Sequence, residues 1–189
     1  QNLVNIVVEI SLYGVLAIGL SLVIMSGSID LSIAYQVVAS ATAAILLANV
    51  GGVWLAVPGA IIAGLLMGMF NGFIITKLKI ASLIATIATM MAYNGLVMWL
   101  TNNGSLSSTD PVFKTVFKTT LFGMKLLQLP VIAFVVLIIA LAFFLRRTRL
   151  GRNVLFTGGN EEAGKLAGIN TDRVRFFCHA MCGLCCGIV

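Results

Sequence analysis

Thr148-Arg149-Leu150-Gly151-Arg152 and, shortly after, Thr157-Gly158-Gly159-Asn160-Glu161-Glu162-Ala163-Gly164-Lys165-Leu166-Ala167-Gly168-Ile169-Asn170 form the centre of the polar island in an otherwise apolar chain. The island, residues 146–175, holds seven of the 12 Lys and Arg residues: Arg146, Arg147, Arg149, Arg152, Lys165, Arg173 and Arg175. A basic, Gly-punctuated segment between two apolar spans belongs on the cytoplasmic face of a bilayer. Its helix-forming residues, its expected stop at Gly168 and Asn170, and its flanking cations describe a solvent-facing protein contact.

The rest of the chain is membrane-grade. With 60% hydrophobic residues, 10% charged residues and a mean hydropathy of +1.09, its 189 residues carry too little polar surface to cover a water-soluble globule. The net charge of +6 is concentrated in the island, so topology explains it and nucleic-acid binding is excluded. The first apolar stretch, residues 3–25, is long enough to span and lacks the basic start and small-residue cleavage site of a signal peptide. The last, residues 176–189, is shorter than the ~20 residues that cross a bilayer, so the chain is expected to be truncated at both ends.

Five full spans and one partial span follow from length and charge exclusion: residues 3–25, 35–50, 53–76, 82–101, 129–145, and 175 onward. Residues 1–189 therefore read as a single all-α, polytopic transmembrane domain, with residues 146–175 as its cytoplasmic loop. Placing that loop inside also places the turn at Lys77 and Lys79 inside, and the loop 102–128 and the Gly51-Gly52 turn outside. Two basic clusters fall on one side, as the positive-inside rule requires. The third span carries Ala56, Ala60, Gly64, Gly68 and Gly72 at every fourth position, a small-residue stripe suited to close helix packing. In the outer loop, Phe113/Phe117 and Lys114/Lys118 are paired at i, i+4, which predicts a short interfacial amphipathic helix.

Three motifs invite chemistry. Gly159 to Lys165 nearly follows the phosphate-loop pattern, but Leu166 replaces the magnesium-binding hydroxyl and two glutamates sit where amides would cradle phosphate, so nucleotide binding is rejected. Cys178, Cys182, Cys185 and Cys186, with His179 beside them, read as apolar packing rather than as a metal site, because the run is apolar and His179 points about 100° away from Cys178. Ser26-Gly27-Ser28-Ile29-Asp30-Leu31-Ser32 interrupts the first two spans and leaves two readings. Either Asp30 or Ser32 caps the next helix, or the break lies at membrane depth beside a polar cavity.

The break, together with Phe70-Asn71-Gly72, Ile84-Ala85-Thr86, Tyr93-Asn94-Gly95, Thr101-Asn102-Asn103-Gly104-Ser105 and, above all, the island motifs, resembles the permease subunits of ribose-type sugar ABC importers. The similarity runs in order along essentially the whole chain. It implies the importer permease fold and a plasma-membrane location. The partners it implies are a second permease copy, cytoplasmic ATPase subunits carrying ATP and magnesium, and an extracytoplasmic sugar-binding protein. This chain itself is then neither an enzyme nor a cofactor-binding protein. Glu162 to Gly168 matches the coupling motif E-A-A-x-x-x-G with Gly at the second Ala, so the resemblance implies ATPase coupling by Gly158, Gly159, Asn160, Glu161, Glu162, Ala163, Lys165, Gly168 and Asn170. Ser28, Asp30 and Ser32 become candidates for the translocation pathway. A branched-chain amino-acid importer permease shares the broad architecture, while a secondary transporter would need coupling acids deep in its spans, where only Asp30 comes near.

Overall fold

Apolar runs that match the thickness of a bilayer become long helices, and the polar punctuation between them sets their ends. The structure, a computed structural model, describes residues 2–116 and 128–189. Within them the helices are α1 (Asn2–Met25), α2 (Ile33–Gly51), α3 (Val53–Lys77), α4 (Ser82–Thr101), α5 (Pro111–Val116), α6 (Leu129–Arg147), α7 (Arg149–Gly159), α8 (Glu161–Leu166) and α9 (Thr171–Ile188). Helices α1, α2, α3, α4 and α6 are long and apolar enough to cross a membrane. The sixth run begins earlier than its apolar residues suggest, because Asn170 caps α9 through its Oδ1, which accepts the Arg173 N–H at 3.0 Å.

The small-residue stripe on α3 finds its partner in α9. A Cβ built on Gly64 would strike the Gly183 carbonyl, one on Gly68 the His179 carbonyl, and one on Gly72 the backbone of Phe176. The α9 side is equally bare, since Gly183 meets Gly68 and Gly187 meets the Ala60 carbonyl. Backbone therefore lies against backbone over about three turns, the arrangement small-xxx-small stripes permit. On its other side α9 packs against α1, where Gly19 admits Cys182 and Cys185. Val15, Ile18, Leu22 and Val23 of α1 complete this core with Cys178, Cys182 and Cys185. The four cysteines are buried free thiols.

Helix α9 is thus the central element, wrapped by α1, α2 and α3, while α6 lies outside α1 and buries none of its residues. Both basic clusters gather at one end of the bundle, where Lys79 Nζ meets Asp172 Oδ2 at 2.5 Å. At the other end α5 forms over Pro111–Val116, and Phe113 packs on Ala44, Ala48 and Ala56. Phe117 and Lys118 of the expected amphipathic pairs lie outside the described residues.

Candidate functional site

The seven residues between α1 and α2 form an irregular segment that buries Ser26, Ser28, Asp30 and Ser32 and leaves Gly27, Ile29 and Leu31 exposed, and neither Asp30 nor Ser32 caps α2. Ser32 occupies the cap position without a side-chain bond to the helix. Asp30 instead turns inward and is buried at 1% exposure. Its Oδ1 accepts the Ser32 N–H at 2.9 Å and the Ser32 hydroxyl at 2.6 Å. Its Oδ2 faces Gln36 Nε2 at 3.2 Å, Asn71 Nδ2 at 3.4 Å and His179 Nδ1 at 3.2 Å. Five donors around two oxygens suit an ionised carboxylate, and a carboxylate only accepts, so the hydrogen on His179 is assigned to Nδ1.

The cluster extends in both directions. Ser32 Oγ also accepts from Gln36 and Asn71, each at 2.7 Å, and Tyr93 sends its hydroxyl toward Asn71 Oδ1 and the Met67 carbonyl, each at 3.0 Å. The broken backbone is satisfied by α4, where Ser82 Oγ accepts the Ile29 N–H and Thr86 Oγ1 the Leu31 N–H, both at 3.2 Å. Non-helical backbone inside a membrane protein requires such internal partners. Residues from Phe70-Asn71-Gly72, Ile84-Ala85-Thr86 and Tyr93-Asn94-Gly95, three motifs far apart in sequence, thus meet at the break. Of the pathway candidates, Asp30 and Ser32 sit in this cluster. Ser28 lines a cleft of about 490 Å³ toward the basic end, with Lys79, Glu161, Asp172 and Arg175.

The polar island folds into two short helices. Thr148 caps α7 by accepting the Gly151 N–H at 2.9 Å, and Asn160 caps α8 by accepting the Ala163 N–H at 3.0 Å. Helix α8 ends where Gly168, at φ +79°, donates to the Lys165 carbonyl and Ile169 donates to the Gly164 carbonyl. Those two bonds make a Schellman stop, which needs the left-handed residue that glycine supplies. Asn170 does not help stop α8; it starts α9. Glu162, Ala163 and Lys165 are exposed, and Leu166 is 91% exposed. Leu155 and Phe156 of α7 are also exposed and, with Ala163 and Ala167, flank a groove of about 670 Å³ between α7 and α8.

Two of the island residues point back into the protein instead. A Cβ on Gly158 would strike the Met25 carbonyl, so Gly158 seats the end of α7 against the break. Glu161 carries an inward ion pair: its Oε2 meets Arg175 Nη2 at 2.6 Å and its Oε1 meets Lys165 Nζ at 2.7 Å, with the Thr171 hydroxyl at 3.4 Å. Lys165 above all holds the Glu161 carboxyl below its usual range; partial burial opposes this and Arg175 adds to it.

Sequence reasoning missed His179, Gln36 and Tyr93 as members of the cluster, and Leu166 as an exposed apolar side chain on α8. His179 carries a signal, being the chain's one histidine and standing inside an apolar run.

An all-α bundle of apolar helices, with a polar break between two of them and a capped, solvent-facing helix at its basic end, defines a polytopic membrane protein. The chain belongs to the family described as branched-chain amino acid transport system / permease component, whose model matches residues 2–189. It is 34% identical over 184 residues to the L-arabinose transport system permease protein AraH of Escherichia coli K12, covering 97% of this chain and 55% of that protein. It is 31% identical over 186 residues to the ribose import permease protein RbsC of the same organism (97% of this chain, 58% of RbsC). To the ribose import permease protein RbsC of Bacillus subtilis it is 32% identical over 186 residues (97% and 57%). The chain thus spans a little over half the length of these curated relatives. No solved structure matches it.

Proposed function

We propose that this chain is the transmembrane part of an ATP-binding cassette importer that carries a monosaccharide, of the pentose class named for its relatives, across the plasma membrane. The observation that carries the reading is α8: six residues, capped by Asn160 and stopped at Gly168, that present Glu162, Lys165 and Leu166 to solvent at the basic end. A short, pre-formed helix with an apolar tip beside a groove is suited to insertion into a partner, with little ordering cost on binding. The partner is a cytoplasmic ATPase subunit that holds ATP and magnesium. This chain supplies no catalytic group and binds no cofactor. A second permease copy completes the pathway, and an extracytoplasmic binding protein delivers the sugar.

Work in this scheme is a population shift. ATP closes the ATPase pair, closure favours one arrangement of the docked α8, and the spans follow because the two arrangements differ in their contacts. Asp30 and Ser32 lie where the spans are least regular, and they contribute to the pathway by holding that irregular backbone in place. The family description favours a second reading, a branched-chain amino-acid importer permease.

The test is uptake by the full-length permease reconstituted in vesicles with its ATPase and binding protein. Uptake of L-arabinose or D-ribose that requires both ATP and the binding protein supports the sugar reading. Uptake of leucine under the same conditions supports the second reading. Transport by the permease alone would replace both with a facilitator or secondary transporter.

A further inference from the structure

Helix α8 is tied to the bundle at its first residue, and the tie leads to the polar break. The Arg175 guanidinium has two occupied edges. Nη2 donates to Glu161 of α8 at 2.6 Å, and Nε lies 3.5 Å from the Ser26 carbonyl at the start of the break. Arg175 is about one-fifth exposed, so the fork is held between α8, α9 and the end of α1. One turn further along α9, on the same face, His179 reaches Asp30 at the far end of the same break. The segment between is pinned to α4 through Ser82 and Thr86. Gly27, at φ +77°, supplies the left-handed turn that carries the segment past Arg175 Nη2 and Gly158.

We propose that Arg175 is a positioning residue that transmits movement of α8 to the break between α1 and α2, and thereby to the Asp30–Ser32–Asn71–His179 cluster. The proposal rests on the reading of the chain as an importer permease. A planar guanidinium suits the role because it holds two acceptors at fixed relative positions, so displacement of one is passed to the other. A lysine is a single point charge and cannot hold both in that way. The outer residues of α8, Glu162, Lys165 and Leu166, then engage the ATPase, while Glu161 faces inward and is the start of the transmission.

The relay predicts uncoupling, as distinct from loss of assembly. In vesicles holding the full-length permease, its ATPase and its binding protein, the readout is sugar transported per ATP hydrolysed. Arg175→Gln and Glu161→Gln should leave the ATPase bound and hydrolysing while that ratio falls roughly tenfold or more, the scale of one lost charge-assisted hydrogen bond. Arg175→Lys should fall between them and wild type. If Arg175→Gln does not assemble, Glu161→Gln on the partly exposed α8 carries the test alone. A wild-type ratio in Glu161→Gln would overturn the relay, as would a loss of membrane abundance in both single variants with the ratio unchanged. Either result leaves the importer reading standing. Uptake by wild type without ATPase would overturn that reading, and the relay with it.

Discussion

Asp30 and His179 are fully buried against one another at 3.2 Å, although 149 residues separate them in sequence. The pair closes the break between α1 and α2 onto α9, the helix that runs through the middle of the bundle. Removing the carboxylate leaves donors on Ser32, Gln36, Asn71 and His179 buried without their common acceptor. Asp30→Ala should therefore destabilise the permease by about 1–3 kcal/mol, the cost of leaving buried donors unpaired. Thermal unfolding in detergent checks this, and an unchanged midpoint would mean that the cluster is not a structural keystone.

The α3–α9 contact makes a sharper steric prediction. Gly68→Ala places a methyl group against the His179 carbonyl and Gly183, both of them backbone that cannot swing aside. The expected cost is about 1–3 kcal/mol, the range for overpacking. Gly95, on α4, has open space where its Cβ would be, so Gly95→Ala should be neutral or stabilising by up to about 1 kcal/mol. The two midpoints measured side by side decide the matter; equal shifts would place the packing elsewhere.

Helix α8 depends on its ends because six residues make a poor helix alone. Gly168→Ala forces a side chain into the left-handed region at a cost of about 1–2 kcal/mol, and Asn160→Ala removes a cap worth about 1 kcal/mol. Each should speed amide hydrogen exchange over residues 161–166 while leaving α9 protected from Arg175 onward. Uniform acceleration along the chain would contradict a local effect.

The ion pair at Glu161 has a defined pH window. Lys165 and Arg175 hold its carboxyl below the ordinary value of 4.5, so the bound state releases its proton more readily than the free one. The anchoring is fully present above that value and is lost as pH falls through the depressed one. Hydrogen exchange in α8 should therefore be insensitive to this group between pH 7 and 5, after correction for intrinsic rates, and should loosen only in stronger acid. Glu161→Gln should remove the acid step. A transition near pH 6 that depended on Glu161 would reverse the sign of the interaction.

What was legible in the sequence was what a single helix can reveal. Apolar length marked the spans, spacing at every fourth residue marked the α3 stripe, and Gly168 marked the end of α8, whereas the cap at Asn160 came only with the structure. The partner of the stripe was not legible, because Gly183 and Gly187 have no helical period long enough to stand out in a run of cysteines. The roles of Glu161 and Gly158 were not legible either. Both belong to the island, yet Glu161 turns toward Arg175 and Gly158 seats under the Met25 carbonyl. Which way a short helix faces is set by how it rotates against its neighbours, and one chain's residue pattern leaves that rotation open. The same holds for Gln36, Asn71, Tyr93 and His179, which come from four helices and meet only when the bundle closes.

The central claim is that α8 docks on an ATPase subunit from the cytoplasmic side, and Leu166 is its most exposed apolar residue. The direct measurement replaces Leu166 with a photo-crosslinking amino acid in the full-length permease, irradiated in cell membranes that contain the whole transporter. The account predicts one dominant adduct, with the ATPase subunit, that is lost when Glu162→Arg is added. Adducts confined to lipid or to extracytoplasmic proteins would contradict it.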